Sequence, residues 1–128
     1  MRKAVFTMLI AVVSSSASAE WLESCQSERF TCYIDSDTIL KAGKRVKVWE
    51  LFDYKTTQDI TPAPYISMKV QDEFDCEESH RRALYTSFHS GNMGEGNTVL
   101  TDSDPGKWKP VPPDSAVELL WKIACGKR

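Results

Sequence analysis

The chain has 128 residues, of which 27% are charged and 41% hydrophobic, and its formal net charge at pH 7 is −2. This charge balance excludes the basic excess that is typical of nucleic-acid-binding proteins. The length suits one domain with one hydrophobic core, and the sequence contains no internal repeat and no low-complexity tract.

Residues 1–19 have the three parts of a secretory signal peptide. Arg2 and Lys3 form a basic start, residues 4–13 form an apolar stretch, and Ala17-Ser18-Ala19 forms a cleavage site. The apolar stretch is too short to span a bilayer comfortably. We therefore expect a cleaved signal peptide and an exported domain at residues 20–128. This domain has no transmembrane anchor and is expected in the periplasm, in the medium or on the outer surface.

Alternation of apolar and polar residues predicts a series of β-strands. The clearest is the segment that begins at Tyr65, where even positions are apolar and only Asp72 interrupts the pattern. Asp35-Ser36-Asp37 predicts a turn, and residues 55–64 predict a loop. Apolar residues on both sides of the third strand indicate that something packs on each face of the sheet. In chain order, the strands are predicted at residues 30–34, 38–40, 45–54, 65–76, 82–88 and 97–101.

Residues 115–126 predict the one helix of the domain. Ser115 and Glu118 fit a capping box at its start, and Gly126 suits its end. The apolar stripe of this helix consists of Val117, Leu120, Trp121 and Ala124. The sequence thus predicts the α+β class: a single antiparallel β-sheet of five or six strands with one C-terminal α-helix packed on it.

All four cysteines follow the signal peptide, and an even number in an exported protein predicts disulfides. Three pairings are open. Cys25 and Cys32 can close a short loop, which leaves Cys76 with Cys125, and we adopt this pairing. The longer bridge would then fasten the helix to the sheet. The cysteine spacing does not fit a zinc site.

No arrangement of residues in the sequence indicates catalysis, a metal site or a cofactor. Strict alternation along one strand would place His80 and His89 on opposite faces. Gly91–Asn97 is interpreted as a glycine-rich turn, because no lysine-serine or lysine-threonine pair ends it, as in a phosphate-binding loop, and no helix pattern follows. Five acidic residues lack the spacing of a calcium loop and are interpreted as a solvated rim: Asp72, Glu73, Asp75, Glu77 and Glu78. We therefore expect a protein that is not an enzyme.

Basic residues and tyrosines are interleaved on the predicted strands. Such surfaces suit an acidic protein or a glycan, although charges at alternate strand positions are also found on the solvated face of any sheet. The basic residues are Lys41, Lys44, Arg45, Lys47, Arg81 and Arg82, and the tyrosines are Tyr54, Tyr65 and Tyr85.

Several short motifs follow one another in a characteristic order. They are Tyr33-Ile34-Asp35-Ser36-Asp37-Thr38-Ile39, Val46-Lys47-Val48-Trp49, Glu73-Phe74-Asp75-Cys76, Arg82, Gly94-x-Gly96, Trp108 and the segment from Pro113 to Cys125. Together with the Cys76 and Cys125 framework, this order resembles the surface-adhesin protein E family of Gram-negative bacteria. The resemblance implies an antiparallel sheet, a C-terminal helix tied by that disulfide, and homodimers formed through the sheet. It also implies binding of host matrix proteins such as vitronectin and laminin.

The chain departs from this family in two respects. The type member of the family resembles a lipoprotein anchored at the outer membrane, whereas this sequence offers no lipidation cysteine. The ligand-binding stretch of the family is basic around the central hairpin, whereas residues 72–78 are acidic here. Lys69, Arg81 and Arg82 remain as counterparts of the basic residues in the family's ligand-binding stretch. The Cys25 and Cys32 pair is an addition to the cysteine framework of the family.

We therefore predict an exported, non-enzymatic binding module that contacts a protein ligand. The contacts are assigned to Lys69, Arg81, Arg82, Tyr65 and Tyr85. The alternative is a periplasmic structural or envelope-maintenance protein with no host ligand, which the missing anchor and the acidic hairpin favour.

Overall fold

The computed structural model describes residues 20–59 and 63–127, so the predicted signal peptide lies outside the described residues. The elements are β1 (Leu22–Gln26), β2 (Phe30–Ala42), β3 (Arg45–Gln58), β4 (Tyr65–Asp75), β5 (His80–His89), β6 (Thr98–Asp102), β7 (Lys109–Pro110) and α1 (Ala116–Cys125). Strands β1 to β6 form one antiparallel sheet in sequence order, and β7 pairs with β5. The α+β class is confirmed, with six strands and a short seventh.

No helix in the described part of the chain is both long enough and apolar enough to cross a membrane.

Strand β2 is longer than predicted, because it runs through the segment expected to turn. The pairing of β2 with β3 loses its register between Asp35 and Leu40. Within this irregularity, the Thr38 hydroxyl accepts a hydrogen bond from the Trp49 N–H at 2.9 Å and donates to the Asp35 carbonyl at 2.6 Å. A side chain thus replaces the missing backbone partner, and the strand continues. The prediction of a turn at residues 35–37 was therefore wrong.

Two other boundaries differ from the prediction. Strand β3 extends to Gln58, into the segment that was predicted as a loop. Strand β1 was not predicted, because its residues lack a sustained alternation and their pairing with β2 is what fixes them as a strand.

The two faces of the sheet have different coverings. Val46, Val48 and Phe74 lie on the face that we call the helix face, because α1 packs against it. The helix contributes Leu120 and Trp121 to this core. The opposite face, called the open face, carries Trp49, Lys69 and Glu73 at the alternate positions of β3 and β4.

Both ends of α1 are capped as the sequence predicts. The Ser115 hydroxyl accepts a hydrogen bond from the Glu118 N–H at 3.1 Å, and Gly126 has a left-handed φ of 67°. Gly126 also donates its backbone N–H to the Ile123 carbonyl. The Glu118 carboxylate pairs with Lys122 at 3.5 Å instead of completing the capping box.

Both predicted disulfides are confirmed, Cys25 with Cys32 and Cys76 with Cys125. The second joins the residue that follows β4 to the last residue of α1. Next to it, the Trp121 indole N–H donates to the Asp75 carbonyl at 3.0 Å in a buried position. The helix is therefore attached to one end of β4 by a covalent bond and a hydrogen bond.

The acidic stretch is not the solvated rim that the sequence suggested. Glu77 and Glu78 are exposed, but the other three acidic residues are at most 6% exposed because each faces a cation. The pairs are Asp72 with Arg81 at 3.0 Å, Glu73 with Arg82 at 2.7 Å, and Asp75 with Lys44 at 3.5 Å. The backbone N–H groups of Glu78 and Glu77 also bind Asp75 and lower its pKa against the opposing effect of burial.

A further buried acid, Glu50, lies on the helix face between Ile34 and Val70. Within the described residues, neither oxygen of its carboxyl group has a hydrogen-bond partner. Burial and then the neighbouring Asp72 raise the pKa of Glu50 well above its usual value, and Arg81 opposes this only in part. The fold thus favours a protonated Glu50, which can donate towards Asp72.

Removal of the long disulfide is expected to destabilise the domain more than removal of the short one. The sequence separations are 49 and 7 residues, so chain entropy gives about 4 kcal/mol for Cys76–Cys125 and about 2.5 kcal/mol for Cys25–Cys32. Urea unfolding of the variants Cys76→Ser/Cys125→Ser and Cys25→Ser/Cys32→Ser measures this difference. Equal losses in the two variants would contradict this ranking.

Glu50 is expected to make the domain less stable as the pH rises. Its pKa is raised in the folded state, so the folded protein retains a proton that the unfolded chain loses above about pH 4.3. The free energy of unfolding should therefore fall as the pH rises from about 4.3 to the raised pKa that Glu50 has in the folded protein. Urea unfolding at about pH 5 and about pH 8 should show this fall in the wild type and a smaller fall in Glu50→Gln. The exposed Glu78→Gln is the control, and identical pH dependence in Glu50→Gln and the wild type would refute the assignment.

Candidate binding face of the sheet

The open face groups basic and aromatic side chains along its middle strands. Cross-strand partners share a face, and the register aligns Lys47 with Glu73 and Arg82, and Trp49 with Gln71 and Tyr85. The basic and aromatic side chains of the open face include those of Arg45, Lys47, Trp49, Lys69, Arg82 and Tyr85.

At one end of the open face, two arginines lie against the ring of Trp108. The guanidinium carbon of Arg82 is 4.7 Å from the ring centroid, and that of Arg45 is 5.2 Å away. Both distances are in the range of cation–π attraction. Arg82 also donates its Nε–H to Glu73 at 2.8 Å. These contacts fix an arginine and a tryptophan on the surface, where they are available to a partner.

The middle of the open face is aromatic and borders a pocket. The rings of Trp49 and Tyr85 meet edge to face with centroids 5.7 Å apart. Beside them lies a pocket of about 300 Å³ whose lining is mostly apolar. Its lining residues are Trp21, Asp35, Thr38, Trp49 and Lys69.

The other end of the open face is covered by the glycine-rich segment, residues 90–97, which we call the glycine loop. Asp53 accepts hydrogen bonds from the Asn92 side chain and the Met93 N–H, both at 3.0 Å. Ser67 donates its hydroxyl to the Gly91 carbonyl at 2.6 Å and accepts from the Gly94 N–H. The segment lies between strands as predicted, and it is also bound to the sheet surface.

Gly94 holds the side chain of Lys69 in place. Its φ is +73°, and a β-carbon at this position would collide with Cε of Lys69. The aliphatic part of Lys69 therefore packs beneath the glycine loop. Its ammonium group is also close enough to His89 to add to the effect of burial in lowering the pKa of that histidine.

The structure places three of the five predicted ligand-binding residues on the open face and two elsewhere. Lys69, Arg82 and Tyr85 share this face. Arg81 is on the helix face, where it binds Asp72. Tyr65 packs against other rings, with centroids 4.9 Å from Phe88 and 5.7 Å from Tyr54.

The two histidines share a face, contrary to the prediction. His80 pairs with Asp75 and His89 with Ser67, and both partners lie on the open face. A β-bulge in β5, where Gln71 pairs with Tyr85 and Asp72 with Ala83, adds one residue and reverses the parity. The two histidines are at opposite ends of a ten-residue strand, so they cannot share a ligand.

The sequence analysis overlooked a serine–histidine pair on β5. The Ser87 hydroxyl and Nε2 of His89 are 2.7 Å apart, and the residues' spacing of two could have revealed that they share a face. Such a hydrogen bond is one element of a nucleophilic site. Both residues are only 6% exposed, so a substrate has little access to the hydroxyl. In the described part of the chain, no cluster of three or more acidic, histidine or cysteine side chains is arranged to hold a metal ion.

Three comparisons with known proteins bear on this fold. The family model described as surface-adhesin protein E matches residues 21–126. Haemophilus influenzae protein E has a similar structure, with 16% identity, a TM-score of 0.63, and coverage of 85% of this chain and 86% of that one. Its crystal form II gives 16% identity, a TM-score of 0.60, and coverage of 84% and 97%. Protein E from non-typeable Haemophilus influenzae gives 16% identity and a TM-score of 0.61, with coverage of 88% of this chain and 79% of that one.

At this identity, the likeness to the solved structures shows the fold alone. Among curated proteins, no relative matches the chain. The family model, however, covers all but a few of the residues from Glu20 onwards. The chain therefore belongs to the surface-adhesin protein E family.

Proposed function

We propose that this protein is an exported, non-enzymatic adhesin whose open face binds a protein, with a host matrix protein as the ligand. The observation that carries the proposal is the grouping of arginine, lysine, tryptophan and tyrosine on the sheet face that α1 does not cover. Membership of the surface-adhesin protein E family supports it.

The charge of this face supports an acidic partner. Glu73, the carboxylate opposite Lys47 on the neighbouring strand, is already paired with Arg82. Arg45 and Lys47 are exposed, and within the described residues neither has a carboxylate within 4 Å. The end of the open face around Arg45 and Lys47 thus carries positive charge that no carboxylate of the described residues pairs with, although the whole chain is slightly acidic. Such a field accelerates encounter with an acidic surface and selects against basic ones.

The aromatic residues support a protein rather than a purely ionic partner. Tryptophan, tyrosine and arginine are the residues that most often dominate the energy of protein interfaces. Here Trp49, Tyr85 and Trp108 supply large rings, and Trp108 is positioned by the two arginines. We assign the central contacts to Tyr85 and Trp108, and the charged rim to Lys47 and Lys69.

The proposal narrows the predicted contact residues to Lys69, Arg82 and Tyr85. Arg81 is engaged by the buried Asp72, and Tyr65 packs between Tyr54 and Phe88. We assign both to support of the sheet rather than to direct contact.

Charge reversal on the open face is expected to weaken ligand binding. The variant Arg45→Glu/Lys47→Glu replaces two exposed cations by anions, and we expect immobilised vitronectin or laminin to bind it about tenfold more weakly, mainly through slower association. Surface plasmon resonance at two ionic strengths measures both the rate and its salt dependence.

The matched control is Lys122→Glu/Lys127→Glu, which makes the same charge change on α1 and just beyond its C-terminal end. Thermal unfolding checks that both variants are folded. Equal binding by the open-face variant and the wild type, or equal weakening by the control, would refute the assignment to this face.

Surface location is a separate requirement of the proposal. Protease treatment of intact source cells should remove the protein while a periplasmic marker survives. Protection until the outer membrane is breached, with none of the protein in the medium, would instead favour a role in envelope maintenance.

A further inference from the structure

The pocket beside Trp49 is built by the irregular part of β2. Where the register is lost between Asp35 and Leu40, Thr38 holds the strand to the Trp49 N–H. Trp21, the residue before β1, closes the pocket from the side of the sheet edge. At about 300 Å³ it is at the lower end of the range for small-molecule sites.

Asp35 and Lys69, which carry opposite charges, line this pocket and form no ion pair with each other. Asp35 is 6% exposed, and one of its oxygens accepts a hydrogen bond from the Asp37 N–H at 3.2 Å. Within the described residues, neither Asp35 nor Lys69 has an ion-pair partner within 4 Å. Two residues of opposite charge thus line one small space without forming an ion pair.

Both groups are held in position before any ligand arrives. Asp35 is in the strand and Thr38 bonds to its carbonyl group. Lys69 is confined by the glycine loop, because Gly94 packs on its aliphatic part. A ligand that binds here loses little of its binding free energy to the ordering of these side chains. The indoles of Trp21 and Trp49 provide an apolar part of the pocket lining.

We propose that this pocket binds a small zwitterion of the size of a free amino acid with an apolar side chain. The ammonium group of the ligand binds Asp35, its carboxylate binds Lys69, and its side chain lies against Trp21 and Trp49. This pocket shares Trp49 and Lys69 with the face proposed for the protein ligand. Asp35 lies outside the contacts assigned to that ligand, so a variant of Asp35 tests the pocket alone.

The four tryptophans make the test specific. In a ¹⁵N NMR spectrum, each indole N–H gives one signal, and Trp→Phe variants assign them. Titration with L-leucine should shift the signals of Trp21 and Trp49 in a saturable manner and leave those of Trp108 and Trp121 in place. N-acetyl-leucine lacks the ammonium group and leucinamide lacks the carboxylate. Each should bind about tenfold more weakly or worse, because each loses a charged hydrogen bond.

Substitutions in the pocket should have the same effect as the altered ligands. Asp35→Asn and Lys69→Met should each weaken leucine binding about tenfold, because each removes a charge-assisted contact. Asp37→Asn and Lys55→Met are exposed controls that should bind leucine as the wild type does. Absence of leucine binding, binding of either derivative as tightly as leucine, or unchanged leucine binding by both pocket variants would each overturn the proposal. Asp35→Asn should leave the binding of a protein ligand unchanged, which separates this test from that of the adhesin function.

Discussion

The attachment of α1 to the end of β4 is the constraint on which the rest of the domain depends. A ten-residue helix is marginal by itself in water. The Cys76–Cys125 disulfide and the bond from Trp121 to the Asp75 carbonyl hold it over the helix face. That face is then closed by apolar packing. The opposite face is not covered by α1: the glycine loop lies over one end, and Trp108 lies against two arginines at the other.

The second constraint is the pairing of the acidic stretch with cations of the sheet. Asp72, Glu73 and Asp75 are buried and each pairs with a cation. Two of these cations, Arg81 and Arg82, are on β5. Breaking a fully buried ion pair costs about 3–5 kcal/mol. The cost here is smaller, because the cations are 27–44% exposed, but each buried carboxylate would lose its cationic partner. These carboxylates therefore serve the fold more than the surface. The consequence for function is that an acidic hairpin in the sequence does not produce an acidic binding face in the structure.

Much of this fold was predictable from local patterns. Alternation gave most strands, and the caps at Ser115 and Gly126 together with the apolar stripe gave the helix. The failures have one cause, which is that contacts between distant residues override local preference. Thr38 turns an apparent turn into a continuous strand, and the bulge in β5 moves His80 to the face of His89. The open face was predictable only in part, because the position of Trp108 over Arg45 and Arg82 depends on a connector whose path is set by pairing with β5.

The role of Thr38 has an evolutionary consequence. The Thr38 hydroxyl accepts the hydrogen bond from the Trp49 N–H. Serine is the one substitution that keeps this hydroxyl on a small side chain. Valine has nearly the same shape but would leave that N–H unpaired, at a cost of about 1–3 kcal/mol. The irregular path of β2 beside the pocket therefore depends on a hydroxyl at this one position.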